Sequence, residues 1–77
     1  MSMAYFEKID PARNQMRFYA ITVAPNLFGQ WAMIREWGRI GQVGTIRQTW
    51  FESESEALSA GARAARKKGR RGYRAVA

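Results

Sequence analysis

A chain of 77 residues with 47% hydrophobic residues and ten aromatics has the material for one small folded core, which excludes a wholly disordered protein. It has no cysteine and no histidine, which rules out disulfides, thiolate zinc sites and the imidazole that serves most general bases and transition-metal centres. Thirteen Lys and Arg stand against six Asp and Glu, giving +7 and a pI near 10.9, so polyanions are the expected partners.

In chain order, Met3 to Lys8 is short, apolar and aromatic, and fits an edge strand. Asp10-Pro11-Ala12-Arg13-Asn14 reads as a turn, because proline fixes one dihedral and asparagine tolerates left-handed geometry. Met16 to Ala24 is rich in aromatic and β-branched residues and predicts a strand, which Pro25-Asn26 ends, with Phe28-Gly29 in the following turn. Further strands are predicted from about Gln30 to Arg39 and from about Thr45 to Phe51. The Gly41-Gln42-Val43-Gly44 link between them suggests a hairpin whose two glycines supply positive φ. Such short links favour an antiparallel meander.

The pattern changes at Glu52. Ser53-Glu54-Ser55-Glu56 fits a capping box, and three glutamates in this turn suit the positive end of a helix dipole. Ala57, Leu58, Gly61 and Ala65 recur at helical spacing, and the helix is expected to reach about Lys68 and to be capped by Gly69. A stripe of alanine and glycine lets a helix lie close to a sheet, and Trp31, Met33, Phe18 and Trp50 are the expected bulk beneath it. The tail, Gly72 to Val76, adds a last short strand. The prediction is an α+β domain over residues 1–77, an antiparallel sheet with one helix on one face. Because the Phe18 to Val23 segment is apolar on both parities, some aromatic surface is expected to stay exposed for a partner.

Two features carry functional signals. In Trp37-Gly38-Arg39 the ring and the guanidinium point to one face of a strand, and Gly38 between them permits close backbone approach. A ring that stacks on a base or sugar beside a fork that holds phosphate is a nucleic-acid contact. The same residues are also compatible with a core tryptophan and a solvated edge arginine. The second feature is the basic run that includes Lys67, Lys68, Arg70, Arg71 and Arg74, with Tyr73 among them, which is either a phosphate footprint or a solubilising helix end. Arg13, Arg17, Arg35 and Arg47 are dispersed and are read mostly as surface charge. No catalytic constellation is present: the serines lack a histidine partner, and capping explains the clustered glutamates. The glycines of residues 38–44 lack a P-loop lysine. No run approaches the ~18 apolar residues of a membrane span and no signal peptide is visible, so the expectation is a cytoplasmic, non-enzymatic protein without cofactor or metal.

The ordered series Asn14, Tyr19, Asn26-Leu27-Phe28-Gly29, Trp31, Ile34 to Gly41, Gly44, Phe51, Ser53/Glu56/Ala57 and Gly72-Tyr73 resembles the WGR domain, over nearly the whole chain. The resemblance implies a non-catalytic module of the kind found in DNA-damage-responsive poly(ADP-ribose) polymerases. There the motif tryptophan meets a terminal sugar and the arginine contacts DNA or neighbouring domains. By position it implies Trp37 and Arg39 as the contact pair, and Lys68 as similar to a lysine on the family's binding face. The more basic stretch from Lys68 to Arg71 is closer to single-domain or regulator-linked bacterial examples. DNA is the implied partner, with RNA or a protein docked on the same face as the alternatives.

Overall fold

The computed structural model describes residues 2–76; Met1 and Ala77, the two ends of the expected 1–77 domain, lie outside the described residues. Five strands and one helix follow in the order β1 (Ser2–Asp10), β2 (Gln15–Pro25), β3 (Trp31–Arg39), β4 (Thr45–Phe51), α1 (Glu54–Arg70) and β5 (Arg74–Ala75). The sheet is antiparallel throughout, in the spatial order β4-β3-β2-β1-β5. It is the predicted α+β meander with one helix on one face. The tail changes the edge: β5 pairs with Phe6 and Glu7, so β1 is not the bare edge strand that its sequence suggested.

The register decides which side chains meet the helix. Tyr19 lies opposite Trp37 and Phe6, and Val23 lies opposite Met33. Odd positions of β2 and β3 therefore share the helix-facing side, since directly paired residues point the same way. Tyr19, Ile21, Val23 and Met33 bury themselves there against Ala57, Ala60 and Gly61, with Trp31, Trp37, Phe51 and Tyr73 around them. Phe18 and Trp50, expected beneath the helix, have the other parity and lie on the opposite face. Phe18 is buried there all the same, by the Tyr5 ring stacked 6.0 Å away and by Gly44. Trp50 remains half exposed, and Leu58 is partly exposed at the margin of the helix, beside Ile21 and Val23.

Turn chemistry follows the local sequence, with three corrections. Asn14 does take the left-handed conformation, at φ 53°. In the Gly41–Gly44 link only Gly41 has a positive φ, 88°. Gly44 is required for another reason: a Cβ there would come within 2.6 Å of the Trp37 carbonyl oxygen and 2.8 Å of Phe18 Cζ. The loop crosses directly over Gly38, whose own Cβ would meet Gly44 Cα at 3.1 Å, which is the close approach anticipated at that glycine. Ser53 is the helix N-cap, its hydroxyl accepting from the Glu56 N–H at 3.2 Å, but Glu52 precedes the helix and accepts from the Gln30 side chain instead. The helix runs past Gly69 to a C-cap at Arg71, and the left-handed residue that ends it is Gly72, at φ 94°; the Tyr73 N–H reaches back to the Lys68 carbonyl at 3.2 Å, which turns the chain into β5.

Candidate nucleic-acid interface

α1 starts beside the β4 end of the sheet and runs to the end where β3 carries Trp37 and Arg39. Trp37 occupies a double position. One side of its ring packs in the core, tilted 33° against Tyr19 at 6.2 Å between centroids, and the rest lines the surface. The core-ring reading thus describes one part of this tryptophan, and the rest is open to solvent. Arg39 follows on the same face. Its guanidinium donates to the Asn14 backbone carbonyl at 3.3 Å and to the Asn14 side-chain oxygen at 3.5 Å, so the left-handed turn at Asn14 fixes the direction of the arginine.

The helix end completes the surface. The Lys68 ammonium lies 4.8 Å from the centroid of Tyr19 and 5.4 Å from that of Tyr73, a cation held between two aromatic faces. A hollow of about 440 Å³ is lined by Arg17, Trp37, Gly38, Arg39, Lys68 and Tyr73. A smaller one of about 170 Å³ adjoins it across Trp37 and Lys68, and is completed by Tyr19, Arg35, Ala64, Lys67 and Arg71. Burial pushes the Lys68 ammonium below the ordinary lysine value, and the neighbouring Arg71, Lys67, Arg35 and Arg17 add to the shift in that order.

Charge is gathered here without neutralisation. Arg17 stands directly opposite Lys8 on one side and Arg39 on the other, which makes a row of three cations across β1, β2 and β3. Arg35 stands opposite Arg47 across β3 and β4. Directly opposed like charges destabilise a sheet. Among the described residues the one ion pair joins Arg13 to Asp10 at 3.7 Å, so none of these five cations has a carboxylate. Of the acids of the sheet, Glu7 and Glu36 have the opposite parity and face the other side, while Asp10 shares the parity of Lys8 and is the partner of Arg13.

Of the residues singled out from sequence, Trp37, Gly38, Arg39, Lys67, Lys68, Arg71 and Tyr73 come together around the two hollows. Arg70 lines neither. Arg74 lies apart: it pairs with Glu7 and so shares the face away from Trp37. Arg17, Arg35 and Tyr19 were not singled out from sequence as site residues; parity within β3 could have placed Arg35 beside Trp37, but Arg17 and Tyr19 join them only through the β2–β3 register.

The WGR domain family matches residues 2–77. The chain belongs to the WGR domain family. An uncharacterized protein, y4dW, of Sinorhizobium fredii is 43% identical to it over 70 residues, which are 91% of this chain and 34% of that protein. The chain thus spans about a third of the length of that relative. The WGR domain is a non-catalytic module, and it binds nucleic acid in poly(ADP-ribose) polymerases. Among the described residues no helix is long and apolar enough to cross a membrane.

Proposed function

We propose that this WGR domain binds nucleic acid through the face that carries Arg17, Trp37, Arg39, Lys68 and Tyr73. The observation behind the proposal is the row Lys8–Arg17–Arg39, three cations opposed across adjacent strands with no acid among them, set beside a partly exposed tryptophan ring. A folded sheet gains nothing by placing like charges opposite one another, whereas a polyanion bound across them relieves the repulsion. The arginine forks hold phosphate, Trp37 stacks on a sugar or base, and Lys67, Arg70 and Arg71 add attraction from the helix end. DNA is the preferred ligand in this reading, recognised by structure at ends or nicks, because a lone ring beside phosphate donors fits an unstacked terminus better than a continuous duplex.

The test is fluorescence-anisotropy titration of intact, nicked and blunt-ended duplexes at two salt concentrations. Tighter binding to the broken duplexes is expected, weakening steeply with salt. The pair Trp37→Phe and Arg39→Gln, checked for folding by circular dichroism, is expected to weaken it. Unchanged binding to broken duplexes in those variants would refute the assignment of the site. No binding to any duplex even at low salt would point to a docked protein instead. The rigid turn that presents Leu27 and Phe28, 98% and 87% exposed beside Trp50, is the feature that favours such a partner. It sits at the other end of β3, about 26 Å from Arg39 at the usual rise of a strand, so the two readings use separate surfaces.

A further inference from the structure

The smaller hollow beside Trp37 has a chemistry of its own. Four cations converge on it, Arg35 from β3 and Lys67, Lys68 and Arg71 from the end of α1, with Tyr19 and Trp37 as its aromatic walls. Arg47 stands opposite Arg35 on the same face. The Arg35 guanidinium lies 5.7 Å from the centre of the Trp37 ring, within reach of a cation–π contact. Its Nε is buried and has no hydrogen-bond partner, although a guanidinium N–H is a strong donor that is ordinarily satisfied when it loses water. A strand interior also tolerates Arg35 opposite Arg47 poorly unless something anionic lies between or above them.

We infer that this hollow is a second phosphate site, distinct from the one at Arg17 and Arg39, and that it takes a further phosphate of the same nucleic-acid strand. The inference rests on the nucleic-acid reading above and extends it from one contact point to a path. The two hollows share Trp37 and Lys68, so a strand that occupies both has its sugar and base over the tryptophan ring. Its two phosphates then lie on either side, one held by Arg17 and Arg39, the other by Arg35, Lys67 and Arg71. Arg39 and Arg35 are four residues apart on one strand, about 13 Å along it, with Trp37 between them on the same face. The backbone of the ligand therefore crosses beneath the end of α1 and continues toward β4, where Arg47 is the next cation.

The experiment measures the salt dependence of binding to a fluorescently labelled nicked duplex and to a labelled single strand. Arg35→Gln, Arg47→Gln and the double variant are compared with Arg63→Gln, an exposed helix arginine that lines neither hollow and removes the same charge. Arg47→Gln is exposed and guards against a folding defect in Arg35→Gln, and circular dichroism checks both. The expected result is a fall of about 0.9 in the slope of log K against log salt on the duplex and about 0.7 on the single strand for Arg35→Gln, and a larger fall for the double variant. Arg63→Gln is expected to keep the slope of the unmodified chain. If folded Arg35→Gln and Arg47→Gln both bind as Arg63→Gln does, while the unmodified chain shows salt-sensitive binding, the second site is wrong and the first stands. If the unmodified chain shows no salt-sensitive binding to either probe, the nucleic-acid reading fails and takes this inference with it.

Discussion

Arg17 is where stability and binding should part most clearly. It faces Lys8 on β1 and Arg39 on β3, and all three side chains emerge on one face. Two unit charges about 6 Å apart repel by roughly 0.7 kcal/mol at the dielectric of water, which agrees with the range of about 0.2–1 kcal/mol for opposed like charges in sheets. Two such pairs, discounted for a Debye length of ~10 Å at 0.1 M salt, leave about 0.5–1 kcal/mol. Arg17→Thr removes both pairs and places a β-branched residue on a central strand, where it fits. At roughly 4–8 °C per kcal/mol for a domain of this size, Tm should rise by about 2–8 °C. Thermal melts followed by circular dichroism at low salt and near ~1 M salt, where the Debye length is ~3 Å, separate the two contributions. The charge part should fade at high salt and the propensity part should remain. A gain identical at both salts, or a loss of Tm at low salt, would refute the view that this row is electrostatically strained. The same variant should bind a labelled duplex more weakly, with a shallower salt slope.

Other sites make separate demands. Gly61 faces the sheet, and a methyl there would rest at 3.5–3.9 Å from Ile21, Val23 and Met33, ordinary contact distances. Gly61→Ala should therefore stabilise the domain by about 0.5–1 kcal/mol through helix propensity, read by urea denaturation, and destabilisation would mean that helix and sheet are closer than the geometry gives. Gly44→Ala is the opposite case, because its methyl meets the Trp37 carbonyl and the Phe18 ring; a loss of about 1–3 kcal/mol is expected, and native-like stability would show that the loop crossing can relax. For Lys68, whose folded pKa lies below its unfolded value, the unfolded chain binds more protons, so stability rises with pH between the lowered value and the ordinary lysine range. Tyr5 acts in the contrary sense: burial first, then Glu7 and Glu36, push its hydroxyl up, which adds stability that is lost as pH rises through the raised value. In a Tyr5→Phe background, alkaline denaturation curves should keep the Lys68 rise, and Lys68→Met should abolish it.

Much of the fold was legible because its signals are local. The Thr45–Phe51 strand has the boundaries that its sequence gave, and Ser53 caps the helix as its spacing to Glu56 requires. Errors arose where identity depended on a distant partner. Phe18 is as apolar as Tyr19, and nothing within the strand says which of the two faces the helix. The pairing of Tyr19 with Trp37 decides it, and that pairing is a property of two strands. Gly44 is a glycine because Phe18 and the Trp37 carbonyl press on it, a reason no hairpin rule contains. The site followed the same logic. Trp37 and Arg39 stood out as neighbours in sequence, and Lys67, Lys68 and Arg71 as a run. Arg17 looked dispersed because its neighbours lie across the sheet, and only the register gathers it, whereas parity within β3 could have set Arg35 beside Trp37.

The location of these cations sets the kind of recognition available. A helix C-terminus carries about half a negative charge, and backbone anion sites ordinarily form at the other end, where N–H groups point at the ligand. At the end of α1 the Arg71 and Tyr73 N–H groups both turn back to the Lys68 carbonyl, so neither of these amides is left to cradle a phosphate. Attraction must then come from side chains alone. That accounts for the density of charge: Lys67, Lys68 and Arg70 in the last turn, reinforced from the sheet by Arg17, Arg35 and Arg39, outweigh the dipole. Long flexible cations provide affinity and little discrimination between one phosphate and another. The rigid parts of the face are the Trp37 ring, held by Tyr19, and the Arg39 fork, held by Asn14. Neutralising Lys67 or Arg71 should therefore weaken intact and broken duplexes by the same factor. Trp37→Phe should narrow the ratio between the two on the proposed reading, in which the ring meets the broken end. A change of that ratio in the Lys67 variant, with none in the Trp37 variant, would place recognition in the charges and remove the ring from it.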